Sequence, residues 1–414
     1  MSSTQILRGP ALCPEPDGHI TLIDDALIEL TAHGHIDAVV AAPDDCEVPI
    51  THPGTVWMPG LVDTHIHFPQ THIIGSAAGP LLDWLETVVF PEEARFAEIE
   101  YAARVAEVFC DALIAQGTTC AAIYGSSHIA ACDTLFQALA TRGLKAIAGP
   151  ALMNRGAPDD VLLDTDAALA GLEALRQTWH GHDNRLWLSV VPRFALSCTQ
   201  DLLSRAGRFA LDHGLWVQTH LSENKAEIAA TAEAFPNARD YLGVYEDAGL
   251  VHERSIFAHC IWLDEGQWHR MASVGASVTH CPDSNFFLGS GCMHLETVLG
   301  HGVPVGLGTD VGAGRTFSVR RVVASAYDAA LMVGAEVSPE RLLWLATLGG
   351  AQSLNMGDHM GRIAPGYDAD LIAVPVSPRT SNPDTRKAAL IDALVFQHDT
   401  GPVTATYVRG QRLR

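Results

Sequence analysis

From Val56 onward the chain alternates short apolar runs with longer stretches of helical periodicity, and this alternation limits the fold more than any other feature. The runs are TVWMPGLVDTHIHF, GTTCAAIYG, KAIAGPALMN, RLWLSVVPRF, LWVQTHL, SIFAHCIWL, GASVTHCP and PVGLGTD. Apolar along most of their length and bounded by turn residues, they read as strands buried on both faces. Between them, EIEYAARVAEVFCDALIAQG and CTQDLLSRAGRFALDHG repeat apolar residues at helical spacing. Both close on Gly, the residue best able to adopt the left-handed conformation that follows a helix. Eight strand and helix pairs over about 250 to 300 residues predict an α/β chain built on a (β/α)₈ TIM barrel.

The flanks are patterned differently. Residues 1–58 and 362–414, including GRIAPGYDADLIAVPV and ALVFQHDTGPVTATYVRGQRLR, read as short β-type runs with turn residues and little helix. Neither flank can bury a core alone, so the two ends are expected to meet beside the barrel as a small β-sandwich domain. The expected division is 1–58 and 362–414 for the small domain and 59–361 for the barrel.

The formal net charge of −22 opposes binding to polyanions, which argues against nucleic acid and anionic membrane surfaces as partners. The opening residues MSSTQILRGPALCPEPDGHI lack a basic region followed by an apolar one. No apolar run is long enough to span a bilayer, and the expectation is a soluble, cytoplasmic protein. Nine cysteines without CxxC spacing do not form a disulfide framework or a thiolate zinc site, so most read as reduced core residues.

In such a barrel the chemistry sits at the carboxyl ends of the strands. The first run ends in His65 and His67, two apart and therefore on one face of a strand. The fifth ends in His220, the sixth in His259 and the eighth in Asp310. Three imidazoles and a carboxylate suit Zn²⁺ and leave a position for water, whose pKa falls toward about 7 when bound. His65, His67, His220 and Asp310 are the ligand candidates, while His259 is either a ligand or the group that holds and polarises the water. Glu223, three residues past His220, is either a proton shuttle or a helix-end charge favoured by the macrodipole. Gln70 and Arg193 offer an amide and a planar fork of donors suited to the edge of a heterocycle. His72 and His280 lie near strand ends, and their spacing assigns them nothing further.

PGLVDTHIHFPQ, QTHLSE, AHC, HCPDSN and GLGTD together resemble the amidohydrolase superfamily, over about residues 56–370. Within it, HIHFPQ, PLLDWLETVVFPEEARF, MNR, PRFALSC and GTDVGAG are similar to the guanine deaminases. The resemblance implies one Zn²⁺ per chain on His65, His67, His220 and Asp310, and a homodimer. It further implies guanine as a small-molecule substrate, held by Gln70, Arg193, His259 and the backbone of Phe194, whose ring either stacks on the purine or packs in the core. Glu223, Asp310 and His259 would be catalytic, and the products xanthine and ammonia.

Two enzymatic rivals and one non-enzymatic rival stay open on the residues alone. A cyclic-amide hydrolase would, by family resemblance, bridge two metals with a carboxylated lysine, but Lys145, Lys225 and Lys387 are the only lysines and none ends the fourth strand. A deaminase of another amino-heterocycle, such as 8-oxoguanine, a pterin or a triazine, is separated only by Gln70 and PRF. A metal-free scaffold would have no reason to keep Glu223 beside the ligand set. The cytidine-deaminase fold is excluded because its PCxxC ligands are missing.

Overall fold

The computed structural model describes residues 5–377, 385–397 and 401–414. Four strands open the chain: β1 (Gln5–Pro14), β2 (Ile20–Leu30), β3 (Ile36–Ala41) and β4 (Thr55–Pro59). The barrel follows as β5 (Leu61–His67), β6 (Thr118–Tyr124), β7 (Lys145–Gly149), the short β8 (Ala151–Leu152), β9 (Leu186–Pro192), β10 (Trp216–Leu221), β11 (Ser255–His259), β12 (Ser277–His280) and β13 (Val305–Leu307). Three strands end the chain, β14 (Leu371–Pro375), β15 (Ala405–Val408) and β16 (Gln411–Arg412).

All eight predicted runs supply a barrel strand, paired in parallel in the order β5-β6-β7-β9-β10-β11-β12-β13, with β8 beside β9. The circle is completed past β13, where the Asp310 N–H donates to His65 O at 2.8 Å and the His67 N–H to Val311 O at 3.1 Å. Strands such as β5 and β6 are buried at every residue because helices cover the outside and side chains fill the inside. The two helices anticipated from periodicity span Ile99–Gln116 and Gln200–His213. Each stops at a left-handed glycine, Gly117 (φ 79°) and Gly214 (φ 61°), and the Thr199 side chain caps the second.

The flanking strands form one mixed seven-stranded sheet, ordered β16-β15-β14-β4-β1-β2-β3, so the two ends of the chain do meet. Its core, which includes Leu7, Ile28, Trp57, Leu371 and Tyr407, is separate from that of the barrel. Two details differ from the sequence reading. The first apolar run is two strands: β4 pairs antiparallel with β14, β5 pairs with β6, and the break falls at Gly60. A Cβ on Gly60 would lie 2.0 Å from Thr119 Oγ1, so only glycine lets the chain cross from sheet to barrel there. The C-terminal flank also contains a helix, Arg386–Phe396, where β-type structure was expected over ALVF. Leu390, Ile391, Leu394 and Val395 recur at helical spacing and are all buried, so packing of that face outweighs the β-branched residues.

At the amino ends of the barrel strands, Lys145 is buried and ion-paired with Asp368 and Asp370, which ties β7 to the flanking sheet. All nine cysteines are free and seven are buried. Among the described residues no helix is long and apolar enough to cross a membrane.

Candidate active site

The strand ends gather the predicted ligands at one point. Potential donor atoms of His65, His67, His220 and Asp310 all lie within 4.8 Å of one another. Asp310 Oδ1 is 3.1 Å from His65 Nε2 and 3.3 Å from His67 Nε2, and the Nε2 atoms of His67 and His220 are 3.3 Å apart. Local backbone produces this convergence: Ser222, His259, Cys260 and Asp310 all have left-handed φ, between 49° and 70°, just where their strands end. Strained non-glycine residues of this kind persist where surrounding structure over-determines them.

The ring orientations have identifiable causes. His220 Nδ1 donates to the Arg193 carbonyl at 2.6 Å, and because a carbonyl can only accept, the lone pair of Nε2 faces the centre. His259 Nδ1 contacts Asn285 Oδ1 at 2.9 Å, which aims its Nε2 at Asp310 Oδ2 (3.8 Å) and Glu223 Oε2 (3.5 Å). His65 Nε2 and His259 Nε2 are buried yet make no hydrogen bond. A native interior rarely leaves such atoms orphaned, and a shared cation with its water would satisfy both. Behind the cluster the Tyr124 ring packs 4.6 to 4.9 Å from those of His65, His67 and His220. Asp63 fastens the closure, accepting from Thr309 N at 3.0 Å and Thr309 Oγ1 at 2.6 Å.

Burial lowers the pKa of His67 to about 3 and that of His220 well below the usual imidazole value, so both rings are neutral, as metal ligands must be. Burial alone would raise Asp310, but the neighbouring imidazoles, His65 first, outweigh it and hold the carboxyl well below the carboxylate range. Glu223 behaves oppositely. Burial, reinforced by the Asp310 charge and opposed by a hydrogen bond from Ser290, pushes it up to about 8. Its side chain caps no helix: the capping box of Lys225–Ala234 consists of Asn224 and Glu227, while Glu223 Oε1 accepts from Ser290 Oγ at 2.9 Å. Glu223 is therefore a buried carboxyl group that faces the cluster and caps no helix.

A narrow cavity opens over this cluster. Gln70, Arg193, Phe194, Glu223, His259 and Asp310 all line it, together with Leu81, Trp84, Leu85 and Leu288. The Phe194 ring belongs to an apolar cluster with Trp84, Leu85 and Leu288 and so forms wall and core at once. Its N–H donates to Ser197 Oγ at 3.3 Å, and its carbonyl accepts from the same hydroxyl at 2.9 Å. Gln70 and Arg193 meet through Glu93, which the sequence reading did not single out.

His72 is exposed and turns to Tyr101, away from the cavity. His280 is buried with both ring nitrogens unpartnered, outside the ligand group. Lys145 is at the opposite end of the barrel, Lys225 lies over the Trp262 ring and Lys387 pairs with Glu340, so no lysine reaches the site.

The family model described as "Amidohydrolase family" matches residues 56–413. The chain belongs to the amidohydrolase family. Among curated amidohydrolase relatives, the guanine deaminase of Escherichia coli K12 is 36% identical over 364 residues, which are 86% of this chain and 83% of that protein. A probable guanine deaminase of Deinococcus radiodurans is 39% identical, over 83% of this chain and 78% of its own length. Of solved amidohydrolase structures, the guanine deaminase from C. acetobutylicum, with guanine bound in its active site, superposes with a TM-score of 0.91 at 27% identity, covering 99% of this chain and 100% of that one.

Proposed function

We propose that this amidohydrolase removes the C2 amine of guanine hydrolytically, giving xanthine and ammonia. The observation that carries the reading is one cavity uniting a four-ligand cluster, a buried carboxylic acid and a pair of donors for a heterocycle edge. Likeness to guanine deaminases over most of the chain supports it.

His65, His67, His220 and Asp310 are proposed to hold a single Zn²⁺, whose contribution when bound is to acidify a water so that a nucleophile exists at neutral pH. Asp310 would accept one proton from the attacking water, and His259, fixed by Asn285, would orient its oxygen toward C2. Glu223 is protonated at neutral pH and gives its proton to N3 of the ring as C2 becomes tetrahedral. Asp310 then passes its proton to the amine, the C–N bond breaks and ammonia leaves. As the C2 carbonyl forms, its hydroxyl proton returns to Glu223, and the new N3–H stays in xanthine. Gln70 and Arg193 hold the opposite edge of the purine, and Phe194 with Trp84 walls the ring. For the Phe194 backbone to hold the purine too, Ser197 must release its N–H.

The barrel over 59–361 would be the catalytic part, with 1–58 and 362–414 as its scaffold, in a cytoplasmic homodimer. Light scattering on the purified protein tests the dimer, and metal analysis tests for one zinc per chain. The function is tested by ammonia release over a panel of guanine, 8-oxoguanine, pterins and triazines. Guanine is expected to be the best substrate, and a markedly better one elsewhere in the panel would displace it.

A further inference from the structure

The buried carboxylate of Glu93 stands behind the two donors that face the cavity and touches both. Its Oε1 accepts from Gln70 Nε2 at 3.3 Å, and its Oε2 from Arg193 Nη1 at 2.6 Å. Residue 93 lies on the short helix Phe90–Ala94, and the Phe90 ring sits 5.5 Å from the Arg193 guanidinium. On its other side the Gln70 amide is met by the Gly312 N–H, which donates to Gln70 Oε1 at 3.0 Å. A backbone N–H can only donate and an ionised carboxylate can only accept, so these contacts jointly fix which end of the amide is oxygen. The Gln70 oxygen is turned toward the Gly312 N–H and one amide hydrogen toward Glu93, so the group the amide is oriented to present to the cavity is its second N–H. Arg193 has only donors.

We infer that Glu93 is a specificity-determining positioning residue, which commits Gln70 and Arg193 to a donor-only edge selecting purines with a 6-oxo group over those with a 6-amino group. The inference deepens the proposed function and rests on it. A purine's O6 and N7 present two adjacent acceptors, matched by donors alone, whereas a 6-amino purine presents a donor beside an acceptor. A freely turning glutamine amide suits the second pattern as well as the first, since it can offer its oxygen to the amine and its nitrogen to N7. The carboxylate removes that option. Because Glu93 itself does not line the cavity, the effect is exerted through its two neighbours.

The discriminating pair is guanine and 2,6-diaminopurine, which share the reacting 2-amino group and differ only at C6; hydrolysis at C2 of the latter gives 6-amino-2-oxopurine and ammonia. Zinc-loaded wild-type protein is expected to prefer guanine strongly in kcat/KM. In Glu93→Gln, whose side chain also carries donors and frees Gln70 to turn, that preference is expected to narrow by at least about tenfold. The KM for guanine should rise by a similar factor, with kcat changed far less and zinc content unaltered. Glu93→Asp keeps an acceptor-only group one methylene back, so it should raise KM several-fold while holding the preference within about threefold of wild type. A merely structural Glu93 would lower the melting temperature in both variants and leave the preference intact, and that outcome overturns the inference. Should Glu93→Gln not fold, an unchanged KM in Glu93→Asp overturns it equally. Failure of wild-type protein to deaminate guanine at all would instead sink the reading of the site, and the inference with it.

Discussion

Two buried polar clusters sit at opposite ends of the same barrel, and they are built on opposite terms. At the amino ends of the strands, Lys145 meets Asp368 and Asp370, and the Arg409 N–H adds a bond to Asp370 Oδ1 at 2.9 Å. At the carboxyl ends, His65 Nε2 and His259 Nε2 are left without a hydrogen bond although both are buried. The first cluster pairs its charges within the protein, and the second leaves imidazole nitrogens free to hold a metal ion. Burial of charge thus does not mark a functional site by itself; incomplete satisfaction of buried groups aimed at one point does.

That contrast can be broken most severely at the carboxyl end. His65→Ala is expected to lose the metal and to drop guanine turnover below about one ten-thousandth of the parent value. Metal-stripped variant should melt below metal-stripped parent, because a buried ring packed on Tyr124 and 3.1 Å from Asp310 Oδ1 is lost. Elemental analysis, turnover and calorimetry on the four preparations check this. The reverse is expected at the amino end: Lys145→Met leaves the buried Asp370 carboxylate without its cation and removes one partner of the half-buried Asp368, and should cost about 3 kcal/mol of stability. Below its lowered melting temperature that variant should keep its metal content and its KM.

Glu223→Gln sharpens the comparison within the site. Removal of the transferable proton should lower kcat by about a hundredfold or more with metal retained. The raised pKa adds a pH signature of known sign. With a folded value of about 8 against an ordinary 4.5, this group's contribution to stability is complete below about pH 4.5 and is lost as the pH climbs through 8. Parent protein should therefore lose thermal stability progressively between about pH 4.5 and 8 and lose kcat as the pH passes 8, and Glu223→Gln should lack this loss of stability. A variant that tracks the parent in melting temperature from pH 6 to 9 would contradict the assignment.

The barrel was legible because its strands are buried on both faces and so read as unbroken apolar runs; for the same reason the junction at Gly60 was hidden, since β4 and β5 are apolar on either side of it. The ligand residues were legible because each ends a run in the sequence. Glu93, Asn285 and Ser290 were not, because their partners lie far along the chain: Glu93 is 23 residues from Gln70 and 100 from Arg193, and Ser290 is 67 from Glu223. No local pattern encodes such a contact. For Glu223, position alone leaves the alternatives even, and what the structure adds is that Asn224 and Glu227, not Glu223, cap the helix. The Arg386–Phe396 helix was missed because Leu, Ile, Val and Phe there suit a strand in composition, and only their 3.6-residue spacing against the barrel distinguishes it.

Deamination of guanine is placed at the carboxyl end of this barrel, where the imidazole cluster faces Gln70 and Arg193. The most direct measurement is ammonia release by zinc-loaded protein from guanine and from adenine under identical conditions. Guanine should be turned over and adenine should fall at least about a thousandfold below it in kcat/KM, since adenine offers a donor where the site requires an acceptor and carries no amine at C2. Faster turnover of adenine, or no turnover of guanine by protein carrying its full metal complement, would contradict guanine deamination at this site.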